Sequence, residues 1–71
     1  MTFDTNDNTT INIKSLTLKP LSNTLFKLGS NEHFNIGTFH MDKGAFAQVL
    51  INGHDSVFKI DKDTSDKDAE A

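Results

Sequence analysis

Three neighbouring residues, His54, Asp55 and Ser56, are of the types that serve as base, orienting acid and hydroxyl nucleophile. Hydrolytic chemistry would need them to converge in a pocket with a further orienting group, and neither is suggested around them. No nucleophile elbow, phosphate-cradling glycine loop or metal-ligand cluster occurs elsewhere, so the chain is not expected to be an enzyme. The three histidines are scattered and there is no cysteine, which argues against a metal site. No cofactor is expected.

A second set of residues suggests binding instead. Phe34, His40, Phe46 and Lys59 combine aromatic faces with cationic neighbours, the usual device for holding single-stranded nucleic acid. The plainer reading is that they pack against a neighbouring subunit. The chain has no arginine and so lacks the guanidinium fork that reads base edges and phosphates, which makes duplex DNA an improbable partner.

These residues must be positioned by a small scaffold. The chain has 71 residues, enough for one domain and one modest core, and such domains are marginal unless stapled. Disulfides are excluded and zinc is disfavoured, so oligomerisation is the remaining common remedy. No apolar run of membrane-spanning length occurs, and the start lacks the layout of a signal peptide, so a cytoplasmic, membrane-free protein is expected. The formal charge of −3 is unevenly spread: residues 1–10 hold Asp4 and Asp7, and residues 61–71 hold five acids against Lys62 and Lys67. The expected organisation is a flexible N-terminal segment at 1–10, a weakly basic β domain at 11–60 and a flexible acidic tail at 61–71.

Between the tails, apolar residues recur at strand spacing: Ile11/Ile13, Leu16/Leu18, Phe26/Leu28, Phe34/Ile36, Phe39/Met41, a run from Ala45 to Ile51, and Phe58/Ile60. Parity slips between Ile13 and Leu16 and between Ile36 and Phe39, the second beside Gly37, which suggests bulges or bends. Asp42-Lys43-Gly44 suits a three-residue hairpin loop and Asn52-Gly53 a two-residue one. Pairing outward from these turns sets Met41 against Ala45, Phe39 against Ala47 and Ala47 against Phe58, with large residues facing small ones. The opposite face then carries Phe34, Ile36, Phe46, Leu50 and Val57, more apolar surface than water normally meets, and something should cover it. A rival reading makes residues 43–52 a helix, capped by Asp42 and ended by Gly53; two turn signals and the size matching favour strands, and the helix stays open as the alternative.

The segment MDKGAFAQVLINGHDSVFKID resembles the second half of the tryptophan RNA-binding attenuation protein family of bacilli. The likeness rests on Asp42-Lys43-Gly44, an apolar strand of equal length, then His54, Ser56 and Lys59 at the family's offsets. Upstream, Ile13-Lys14 and the stretch from Asn23 to Gly29 resemble its earlier strands with shifts of a few residues. The resemblance implies closed rings of subunits joined edge to edge, tryptophan between subunits and single-stranded RNA around the outside. It implies an RNA side at Lys59, His40, Asp42 and Phe34, where His40 and Asp61 stand in place of basic residues and Asn35 falls at the aligned aromatic position. It implies a ligand pocket at Gly29, Asn52, His54, Asp55 and Ser56. Leu50 replaces the family's glutamine there and Asn52 and Asp55 replace threonines, which weighs against tryptophan.

The expectation is therefore an all-β subunit, a small sandwich or twisted antiparallel sheet, assembled into a ring-like homo-oligomer. Its expected role is regulatory, binding single-stranded RNA to control transcription attenuation or translation. The alternative is a homo-oligomeric protein-interaction module that keeps the scaffold without RNA or tryptophan.

Overall fold

A computed structural model describes all residues, 1–71. The chain forms six strands and no helix: β1 (Thr2–Asp4), β2 (Thr10–Leu18), β3 (Asn23–Leu28), β4 (His33–Met41), β5 (Phe46–Ile51) and β6 (Val57–Asp63). Odd-numbered strands make one sheet in the order β1-β3-β5, and even-numbered strands make a second in the order β2-β4-β6. Every pairing is parallel. The chain therefore winds, laying one odd and one even strand per coil and returning beside its own start. Phe3 lies beside Phe26 and Ile11 beside Phe34, 23 residues on, while Phe34 lies beside Phe58, 24 residues on. Three coils result, stacked in the manner of a repeat solenoid.

The inward positions explain the stacking. The even strands place Ile11, Phe34 and Phe58 in one column and Ile13, Ile36 and Ile60 in another; the odd strands align Phe3, Phe26 and Val49. Phe26 is the centre of the core, fully buried, with its ring 4.9 Å from Phe3 and 5.3 Å and 5.0 Å from Phe34 and Phe58 of the other sheet. Each coil supplies too little apolar surface to bury itself, so each is covered by its neighbour at the same position.

The parity slips are one feature repeated. Ile13 to Leu16 and Ile36 to Phe39 are equivalent steps of β2 and β4, and the strand pairing skips Lys14 and Gly37 there. The even strands bend at this step, so that Phe34, Ile36, Phe39 and Met41 all become buried on the same side. Gly37 is required because a Cβ would come within 2.6 Å of the Lys14 carbonyl oxygen of the coil above.

The corners also stack. Asn8, Asn31 and Asp55 occupy the left-handed region at one corner, and Leu21 and Gly44 at the other. Asn8 and Asn31 donate their backbone N–H groups to Ser30 and His54 carbonyls of the next coil, at 3.0 Å each, and Leu21 does the same to Lys43 at 3.1 Å. Asn and Asp tolerate this conformation and Gly is indifferent to it, but it strains Leu21, whose side chain is exposed.

All-β structure is thus present, but the antiparallel hairpins are not. Asp42-Lys43-Gly44 does turn, with Gly44 at φ 72° and Ala45 N–H donating to the Asp42 carbonyl, yet it carries the chain from the even sheet to the odd one. Met41 accordingly pairs with Leu18 rather than Ala45. Asn52-Gly53 opens a longer corner that ends on Asp55, and Phe58 pairs with Phe34 rather than facing Ala47. The physical reason is burial: hairpins leave Phe34 and Ile36 on an uncovered face, whereas winding puts them in the core with Phe39 and Met41. The rival helix is absent, since residues 46–51 are β5. The boundaries at 10/11 and 60/61 do not separate arms from a domain either, because β1 pairs with β3, β6 runs to Asp63 and Glu70 bridges to Phe46. No helix is long and apolar enough to cross a membrane.

Gly37→Ala is expected to lower stability by about 1–3 kcal/mol through overpacking. Leu21→Gly should raise it by about 0.5–1 kcal/mol by relieving a left-handed residue at some cost in chain entropy. Urea unfolding of both variants beside the parent checks the pair.

Candidate functional site

The five residues expected to form a ligand pocket do gather at one corner, but as structural parts of it. Gly29 and Asn52 are equivalent positions one coil apart, with Asn52 N–H donating to the Leu28 carbonyl at 2.8 Å. Ser56 Oγ donates to the Gly29 carbonyl at 2.7 Å and accepts from Glu32 N–H at 3.1 Å, so its hydroxyl is occupied. The side chains of His54 and Asp55 hydrogen-bond to each other, Nδ1 to Oδ2 at 3.2 Å, and both are largely exposed. The three types that could have made a hydrolytic site do not converge. A groove of about 220 Å³ does include Gly29 and Asn52, with Asp4, Thr5, Lys27 and Leu50, but it omits His54, Asp55 and Ser56. It is smaller than the roughly 300–1,000 Å³ of small-molecule sites.

Glu32, which the sequence reading passed over, organises this corner. It is buried, at 1 % exposure, and its carboxylate accepts from Gly29 N–H. It occupies the position of Thr9 in the first coil and Ser56 in the third, so the interval of 23 to 24 residues was the signal that could have found it.

The residues expected on an RNA face separate. Phe34 is 1 % exposed, stacked on Phe58 with ring centroids 5.4 Å apart, and offers no surface to a base. His40 is anchored at both ring nitrogens, Nε2 to Asp42 Oδ1 at 2.9 Å and Nδ1 to the Thr64 carbonyl and hydroxyl at 2.7 and 3.0 Å. This ties the end of β6 to β4. Lys59 stands on the exposed face of the even sheet, in the column of Asn12 and Asn35, with Asp61 3.4 Å away. Asn35 Nδ2 donates to Asn12 Oδ1 at 3.0 Å, extending that column as a polar ladder.

Exposed large apolar side chains concentrate instead on the third coil. Val49, Leu50, Ile51 and Val57 are between 42 % and 48 % exposed, although Val49 and Ile51 continue the columns of buried Phe26 and Leu28. Both β5 and β6 are edge strands. Only half of this end is closed. At the column of Leu16 and Phe39 the third coil has Asp63, and at that of Leu18 and Met41 it has Ser65. Ser65 donates both N–H and Oγ–H to Asp63 Oδ1, at 2.9 and 2.6 Å, and accepts from Met41 N–H at 2.9 Å. The following residues complete the closure: Thr64 and Asp66 donate to the Phe39 and Met41 carbonyls, and Ala47 N–H donates to Glu70. Beyond Ala47, β5 is open.

The hydrogen bonds from the Ser65 hydroxyl and N–H hold the Asp63 carboxyl below its ordinary 3.8 against the opposing effect of burial, with a lesser contribution from His40. A carboxyl so lowered stabilises the fold above its unfolded value, and that contribution is lost as pH falls through the folded value. Asp63→Asn should therefore be less stable than the parent at neutral pH, with the difference shrinking below about pH 4. Thermal melts of both proteins between neutral and acid pH measure it.

Compared with protein-family models, curated proteins and solved structures, the chain matches none.

Proposed function

We propose that the chain is a non-catalytic interaction module that binds by adding strands to the open half of its third coil. The observation that supports this most is the contrast within one coil end. Residues 63–70 close their half with a carboxylate, hydroxyls and backbone bonds, while Val49 and Ile51 end the columns of Phe26 and Leu28 apolar and uncovered. Terminal repeats of a solenoid normally carry a polar cap, and an edge without one is a template for another strand. Strand addition supplies main-chain hydrogen bonds for affinity and alternate side-chain pockets for specificity. This is the interaction-module alternative of the sequence reading, on a wound rather than a hairpin scaffold, and an assembly of several copies fits it.

A second reading, binding of single-stranded RNA in a regulatory role, draws on the outer side of the even sheet. Lys14, Lys59 and Lys62 lie exposed there on β2 and β6. It is the weaker reading, because Phe34 is in the core and His40 is engaged by Asp42 and Thr64. Tryptophan has no support in the arrangement of the corner.

Amide shifts of the labelled protein distinguish the readings. On concentrating from about 10 µM to about 1 mM, where weak interfaces become populated, Val49, Ile51, Phe58 and Ile60 should move. Unchanged shifts across that range would count against the open end. Movement centred on Lys14, Lys59 and Lys62 on adding a single-stranded oligoribonucleotide, reversed by salt, would favour the second reading.

A further inference from the structure

We propose that the open half of the third coil accepts the first coil of a second copy of this chain, head to tail, with β1 pairing in parallel with β5 and the first half of β2 with the first half of β6. The inference rests on the open-end reading above and names its occupant.

The case begins with the columns. The molecule covers each coil with the equivalent positions of the next, and the first coil has half-buried apolar residues where the third needs a lid. Phe3 stands in the column of Val49, Ile11 in that of Phe58 and Ile13 in that of Ile60. A second copy set at the same interval repeats packing that the fold already uses twice.

Backbone polarity agrees. Phe46 and Asn52 donate their N–H groups toward β3, to the carbonyls of Ser22, just before it, and Leu28, whereas Ala47 donates away from β3, to Glu70. Alternation along a parallel strand then turns Val49 and Ile51 toward the open edge. At the other end, Thr5 N–H donates to the Lys27 carbonyl and Leu25 N–H to that of Met1, so Thr2 and Asp4 point away from β3. The free groups of β5 and β1 are therefore complementary when the strands run the same way.

Charge selects the pairing. Residues 1–23 carry Lys14 and Lys19 against Asp4 and Asp7, and residues 24–46 carry Lys27 and Lys43 against Glu32 and Asp42. The whole net charge of −3 thus lies in the third coil, where Lys59, Lys62 and Lys67 face six acids. Two third coils meeting end to end would repel, whereas a third coil meeting a first coil sets −3 against a neutral coil.

Asp63 sets the limit. In continuous register it would lie against Leu16 of the second copy, so pairing stops at the bend of the even strands, beside residues 61 and 62. The contact is half a coil and head to tail, so it is weak and produces a series of oligomers rather than a single closed pair.

Proline tests this at each end, because it removes an N–H that points to the open edge and is tolerated on edge strands. Native mass spectrometry at rising concentration should show dimers and higher species for the parent. Val49→Pro alone and Asp4→Pro alone should stop at monomer, and their equimolar mixture should form a one-to-one dimer and nothing larger. Asp63→Leu restores the Leu16/Phe39 column and should tighten association about tenfold or more, as burial of one leucine implies. This arm holds even if a proline variant misfolds. Association of Asp4→Pro by itself, or an Asp63→Leu protein that associates no better than the parent, would overturn the head-to-tail arrangement while leaving the open end as an interface. A parent that stays monomeric throughout would overturn both.

Discussion

Burial of like position on like position, one coil apart, is the constraint from which the rest follows. No single turn of this chain holds enough apolar surface to exclude water, and there is no disulfide to compensate. Phe26 can be fully buried only because Phe3 stacks on it from the first coil and Phe34 and Phe58 close on it from the other sheet. That arrangement demands parallel strands, a fixed interval and corners that repeat. The stacked left-handed residues, the shared bend at Gly37 and the carboxylate of Glu32 under its corner are local answers to the same demand.

A molecule built on that constraint has an inherent difficulty at its ends, where a column must stop. The third coil resolves it in two ways within a few residues. After the bend, Asp63 and Ser65 replace the apolar members of their columns and satisfy each other's hydrogen bonds, and His40 fastens Thr64 to the coil above. Before the bend, the columns simply end in Val49, Ile51 and Phe58. A stability requirement alone would favour closing both halves, and the asymmetry is what makes the open half a functional surface in this account.

Much of this was legible in the residues, but not its topology. Strand type, the turn at Gly44, the two parity slips and the apolar pairs of β2, β3, β4 and β6 were all readable, but Phe3, which stacks on Phe26, lay in a stretch read as a flexible N-terminal segment. Ile11/Ile13, Leu16/Leu18, Phe34/Ile36 and Phe39/Met41 repeat at an interval of 23 residues, and that interval was the missed signal. Hairpin turns act over two or three residues and stand out locally, whereas a coil of 23 becomes visible only when the chain is laid against itself. The candidate site was less legible still. Which of Val49, Ile51 and Phe58 lacks a cover depends on where the stack ends, and Phe34 looked available for stacking only because the hairpin pairing put it on the face opposite Phe39 and Met41.

Contacts between strands in the folded protein in solution test the winding most directly. Nuclear Overhauser effects should link Ile13 with Ile36, Phe34 with Phe58 and Phe3 with Phe26 across parallel neighbours. Antiparallel contacts between Met41 and Ala45 and between Phe39 and Ala47, with none linking the equivalent positions of successive coils, would contradict the account at its base.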